Sequence, residues 1–179
     1  HQVGLNSKRK RIKEIGLPGI IGFLNELVYP VHKKYELALK VALSKYLNYL
    51  IVDNYNTAKQ CMKFFDENDI SQDILVLDQV PLINSPFNND SITQYGTLMT
   101  SLVLEKKKEV KPVINYFLKN LFFCYEKESI RKLQSLGCKS IILIDGTIIK
   151  KGVITGGAYN NLIALENDFS EVGFLELKG

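Results

Sequence analysis

The chain has 179 residues, of which 46% are apolar, with 23 lysines and arginines against 19 aspartates and glutamates and a formal net charge of +4. That length fits one domain or two small lobes, and the apolar share supplies a sizeable core. No apolar stretch reaches the roughly 18 residues a membrane span needs, no signal-peptide pattern is present, and the mild positive charge permits a polyanionic partner without requiring one.

Cys61, Cys124 and Cys138 are widely spaced, form no Cys-x-x-Cys pair, and each sits in or beside an apolar run. They read as reduced core thiols, which implies a reducing, intracellular setting.

In chain order, residues 5–15 carry a basic run, Lys8-Arg9-Lys10-Arg11 with Lys13, and Leu5, Ile12 and Ile15 at heptad-like spacing. Gly16-Leu17-Pro18-Gly19 breaks any helix. Ile20 to Val28 reads as a strand stopped by Pro30. A helix follows from about Lys33 to Leu47, with Tyr35, Ala38, Leu39, Ala42, Leu43 and Tyr46 on one face. Tyr49 to Asp53 is a short buried strand. Thr57 and Gln60 have capping-box spacing, and the helix after them buries Ala58, Cys61, Met62 and Phe65. Ile74 to Leu77 is the next strand.

Residues 84–94 are polar and read as a linker. Beyond them the order repeats. Leu98 to Leu104 is a strand, Lys111 to Asn120 a helix with Pro112 in its first turn, and Leu121 to Cys124 a strand. Glu126 to Leu136 is a helix capped by Gly137, and Ser140 to Ile144 a strand. The reading is α/β: two small pseudo-repeated lobes with partly parallel sheets. From Tyr159, the residues Leu162, Leu165, Phe169 and Val172 step in a heptad pattern, which fits either a coiled-coil start or one helix packed on the domain.

The last strand runs into Asp145-Gly146-Thr147, and then Lys151-Gly152-Val153-Ile154-Thr155-Gly156-Gly157. Glycines are placed where backbone turns with positive φ or where another backbone comes close. Both readings, turn glycines and a side-chain-free docking surface, stand open on spacing alone.

This closing segment resembles the closing motif of the hinge domain of SMC proteins, the long coiled-coil ATPases that organise chromosomes. Pro30-Val31-His32-Lys33-Lys34-Tyr35 with Ala38 and Leu43 resembles an earlier hinge segment, as does Leu50-Ile51-Val52-Asp53 with Thr57-Ala58. Leu75-Val76-Leu77-Asp78 sits where the family has a strand with a proline, here replaced by Val76. The matches span residues 20–158 in order, and Lys33-Lys34-Tyr35 with Cys61 look most like the first cohesin-type paralogue. Lys151 stands where the family usually has Ser or Asn, so the family's lysine maps to Lys150 or Lys151.

The resemblance implies the end of an incoming coiled coil (1–16), hinge lobe I (17–83), a linker (84–97), lobe II (98–158) and the start of an outgoing coiled coil (159–179). It implies dimerisation with the hinge of another SMC subunit, as a heterodimer with self-pairing possible, in a nuclear, chromosome-associated, cell-cycle setting. The role would be sister chromatid cohesion and chromosome organisation, with a gate for DNA passage. By carry-over the dimer interface is Gly152, Thr155, Gly156 and Gly157, with Gly22 and Phe23 on the other lobe. A bulky residue at Gly156 or Gly157 is then expected to block docking and spare the core. No cofactor and no enzymatic role are implied, since the family's ATPase belongs to head domains absent here.

The residues themselves offer little chemistry. There is no phosphate loop, and Gly16, Gly19 and Gly22 do not make a dinucleotide fingerprint. His32 beside two lysines reads as a surface residue, and Asp145, Asp53 and Asp78 read as turn or capping residues. Lys33-Lys34, Lys106-Lys107-Lys108 and Lys150-Lys151 are either solvated faces or weak, sequence-nonspecific DNA contacts. Two rivals stay open: a DNA-binding α/β module, and a small α/β enzyme with a ligand at a strand end.

Overall fold

Leu50-Ile51-Val52 is a run of branched residues with no polar face, and all three side chains are fully buried as the central strand of a small sheet. The computed structural model describes residues 2–83, 89–157 and 169. Its contacts divide the chain into two units, His1–Leu24 with Asn48–Gln79, and Asn25–Leu47 with Val80–Gly179.

The first unit holds a helix α1 (Gln2–Lys13), strand β1 (Ile20–Phe23), strand β3 (Leu50–Val52), helix α4 (Tyr55–Glu67) and strand β4 (Ile74–Val76). The sheet order is β1-β3-β4, with β1 antiparallel and β4 parallel to β3. Helix α4 makes the crossover that a parallel pair requires. Its cap is Asn54, whose side chain accepts from the Thr57 N–H at 3.0 Å. The capping-box expectation at Thr57 and Gln60 is thus corrected, because Thr57 is already the third helical residue. Ala58, Cys61 and Phe65 enter a core with Ile12, Phe23, Leu50 and Val52. Met62 does not; it is 51% exposed, one helical step off that face.

The basic run of α1 holds the helix on this unit. Arg9 is buried, its guanidinium carbon 4.4 Å from the Phe23 ring centroid and its Nη2 donating to Asn48 Oδ1 at 2.6 Å. Lys8 donates to the Ser71 carbonyl and Arg11 to Asn68 Oδ1, both at 3.0 Å. Ile12 is fully buried and Ile15 packs against the same core.

The second unit holds a one-turn helix α2 (Leu24–Leu27, its first residue still in the first unit), strand β2 (Val28–Pro30), helix α3 (Glu36–Ala42), strands β5 (Gly96–Leu98) and β6 (Val103–Glu105), helix α5 (Lys111–Phe117), strand β7 (Leu121–Cys124), helix α6 (Ile130–Ser135) and strands β8 (Ser140–Ile142), β9 (Ile148–Lys150) and β10 (Val153–Thr155). Five strands lie in the order β10-β9-β8-β7-β5, and β2 pairs with β6 apart from them. Only β7 and β8 are parallel among these pairs, joined through α6. All four residues of β7 are buried, and the core gathers Ile92, Phe122, Cys124, Leu133, Cys138 and Ile141. Tyr35 meets Phe123 edge to face at 5.1 Å. Gly137, with φ 99°, ends α6 in the conformation a glycine cap adopts.

Two apolar runs read as single strands are broken. Ile20–Val28 turns at Leu24, where Leu24 N–H donates to the Tyr49 carbonyl and Asn25 N–H to the Leu47 carbonyl, before the chain resumes as β2. Leu98–Leu104 is cut by a 3-10 turn, Met99–Leu102, whose Met99 and Leu102 are buried. Burial inside a turn makes an apolar run that periodicity cannot tell from a strand. The helix read over 33–47 is a 3-10 turn, then seven residues of α3, then turns that bury Leu43 and Leu47. The units also differ from contiguous lobes: Asn25–Leu47 belongs with the second unit because β2 finds its partner in β6.

Of the outgoing segment, Phe169 is buried with its ring 5.8 Å from Lys40 Nζ. Tyr159, Leu162, Leu165 and Val172, and linker residues 84–88, lie outside the described residues.

Candidate docking surface

The closing motif folds as a β-hairpin. After β8, Gly146 (φ 85°) turns the chain, its N–H donating to the Leu143 carbonyl while Asp145 Oδ1 accepts from the Thr147 N–H at 3.0 Å. Asp145 is a turn residue, as its place before glycine implies. Lys151 and Gly152, with φ 39° and 81°, form the two-residue turn between β9 and β10. Both positive values match the primed turn that suits the twist of a hairpin.

Strand β10 is an edge of its sheet among the described residues. Val153 is 62% and Ile154 71% exposed, and Thr155 is exposed too. Neighbouring strand residues point to opposite faces, so β10 is bare on both. In a hairpin with a two-residue turn the flanking residues, Lys150 and Val153, form a hydrogen-bonded pair. The next pair, Ile149 and Ile154, then does not, and the Ile154 N–H and C=O face the open side. An exposed apolar edge of this kind is a template for another strand.

The glycines named from the sequence have accounts within the chain. Gly152 serves the turn. A Cβ on Gly156 would stand 2.8 Å from Thr147 Oγ1, and Gly157 has φ 77° with open space around it. A bulky residue at Gly156 would therefore have to displace the Thr147 side chain within the hairpin. Glycine spacing does not single out the exposed pair Val153 and Ile154; adjacent branched apolar residues next to a turn are the signal for it.

In the first unit, β1 is also a sheet edge. It carries a bulge, since Ile20 faces Val52 and Gly22 faces Ile51, with Ile21 as the extra residue between those two pairs. Gly22 takes φ 146° there, which glycine adopts freely. Phe23 is fully buried under Arg9, so its ring faces the core and a contact with a partner would run through the strand backbone.

The lysine clusters stay apart. Lys33, Lys34, Lys107, Lys108, Lys150 and Lys151 are exposed and Lys106 half-buried. Lys33-Lys34 follow β2 and Lys106–Lys108 follow β6, and the antiparallel β2–β6 pairing sends those segments to opposite ends of the ribbon. His32 accepts from the Lys34 N–H at 3.0 Å through Nδ1, a local cap. Among the described residues no cluster of three or more His, Cys, Asp or Glu is placed to hold a metal, and no helix is long and apolar enough to cross a membrane. Burial raises the thiol pKa of Cys61, Cys124 and Cys138. Cys124 Sγ also donates to the Glu126 carbonyl at 2.9 Å.

The family model of the flexible hinge domain of SMC proteins matches residues 17–134. The chain belongs to that family. It is 30% identical over 151 residues to Structural maintenance of chromosomes protein 1 of Schizosaccharomyces pombe, and 27% identical over 154 residues to Structural maintenance of chromosomes protein 1B of Homo sapiens. These matches cover 80% and 83% of this chain but 12% of either relative, so the chain spans about an eighth of their length. The hinge domain of the Pyrococcus furiosus SMC protein superposes with a TM-score of 0.67 at 23% identity, covering 85% of this chain and 80% of that one. An asymmetric dimer of the Geobacillus stearothermophilus SMC hinge domain gives 0.66 at 17% identity, covering 98% and 82%.

Proposed function

We propose that this domain docks onto the hinge of a second SMC chain through two of its sheet edges, joining two coiled-coil arms. The observation that carries the reading is β10, an edge strand with Val153 and Ile154 exposed on opposite faces. Edge β1, with its bulged Gly22, is the complementary strand, so that β10 of each partner pairs with β1 of the other. Gly152, Thr155, Gly156 and Gly157 shape the β10 side by keeping side chains short around the pairing backbone. The Geobacillus stearothermophilus hinge, solved as an asymmetric dimer, supports docking as the use of this fold.

The finer reading is a cohesin-type subunit, nuclear and chromosome-associated, whose partner is a different SMC hinge. Its relatives named Structural maintenance of chromosomes protein 1 favour this. Closing a ring by docking, and opening it for DNA passage, is the corresponding role in sister chromatid cohesion.

The test is Ile154→Lys, examined by light scattering of the chain alone and mixed with candidate hinges. The variant is expected to lose pairing while keeping its thermal unfolding transition. Met62→Lys, at another exposed apolar position, on α4, is expected to pair normally. Equal pairing by Ile154→Lys and the unaltered chain refutes the β10 interface. Direct DNA contact through Lys33, Lys34, Lys106, Lys107, Lys108, Lys150 and Lys151 is a further proposal. It predicts weak binding with a steep salt dependence that flattens as these lysines are neutralised.

A further inference from the structure

We propose that the second unit holds a binding site for a ligand that presents clustered phosphate oxygens. The site is a cavity of about 290 Å³ lined by Lys45, Lys119 and Lys150, with Ser44, Ser140 and Thr155 among its other walls. Among the described residues no carboxylate lines it. The three lysines arrive from separate elements: Lys45 follows α3, Lys119 follows α5, and Lys150 ends β9. None of the three forms an ion pair with a carboxylate among the described residues.

Lysines just past helix C-termini have an ordinary explanation, since a helix end carries up to about half a negative charge. Both helix ends, Ala42 of α3 and Phe117 of α5, line the same cavity as Lys150, and together they offset about one of the three positive charges. The cavity keeps an excess of about two positive charges beside three hydroxyls that donate to anionic oxygens. Tyr46 and Phe117, stacked at 3.8 Å with planes 2° apart, make a rigid wall. The volume suits a di- or triphosphate group and lies at the small end of ligand pockets. Lysine rather than arginine fits such a ligand as a point charge without fixed direction. Of the lysines named from the sequence, only Lys150 lines this cavity.

The probe is sodium tripolyphosphate, titrated calorimetrically into the whole chain at about physiological ionic strength. The expected result is saturable one-to-one binding, weakened about tenfold by each of Lys45→Gln, Lys119→Gln and Lys150→Gln, as loss of one charge-assisted bond implies. Lys63→Gln and Lys127→Gln, exposed lysines outside the cavity, are expected to leave it unchanged. Displacement by pyrophosphate alone assigns the site to small phosphorylated molecules; displacement by oligothymidylate as well assigns it to a nucleic-acid backbone. Either displacement supports the phosphate site. Absence of saturable binding overturns it, as does an equal loss in the Lys63 and Lys127 variants, which marks diffuse charge attraction.

Discussion

Lys151 sits at φ 39° in the hairpin turn, a conformation that favours Asn or Gly at that position. Lys151→Asn would create an Asn-Gly turn and is expected to raise stability by about 0.5–1 kcal/mol, read from a thermal or urea melt. The opposite sign belongs to Asn54. Its side chain caps α4, and Asn54→Ala is expected to cost about 1 kcal/mol in the same melt. The cysteines give a pH dependence. Their folded pKa values are raised by burial, so the folded chain holds the protons more tightly than the unfolded one. Their contribution is complete below the unfolded thiol value of about 8.5 and is lost as pH rises from there through the folded values. Denaturation midpoints measured across that range are expected to fall, and less steeply once Cys61 is replaced by Ala, after allowing for the smaller core.

At the scale of elements, two proline substitutions separate docking from folding. Ile154→Pro deletes an N–H that faces the open edge, so the hairpin keeps its ladder while pairing weakens about tenfold or more, one hydrogen bond's worth. Val153→Pro removes a bond within the hairpin and is expected to lower the melting temperature as well. Such positions were only partly legible in the chain. The period of α4 exposed its buried face through Ala58, Cys61 and Phe65, and the run Leu121–Cys124 announced a buried strand. The breaks at Leu24 and at Met99–Leu102 were hidden because apolar residues buried in turns look like strand. The closing glycines lie in one hairpin, and their reasons within the chain are local: a primed turn for Gly152 and the nearness of Thr147 for Gly156. The apolar surface is on the residues between them. A single sequence does not reveal that Arg9 lies over the Phe23 ring.

The whole chain passes between its two units more than once, since Asn25–Leu47 belongs with residues 80–179. A fragment cut at 17–83 therefore keeps β2 without β6 and is expected to show no cooperative melt by circular dichroism. Among the described residues β1 ends the sheet of one unit and β10 ends a sheet of the other, and the proposed reciprocal pairing of two hinges uses these two strands. The most direct test is the solution mass, by light scattering, of an equimolar mixture of this chain with the hinge of a second SMC subunit, beside the same mixture made with Ile154→Lys. The account predicts a one-to-one complex with the unaltered chain and separate monomers with the variant. Monomers in both mixtures, or complexes in both, would contradict it.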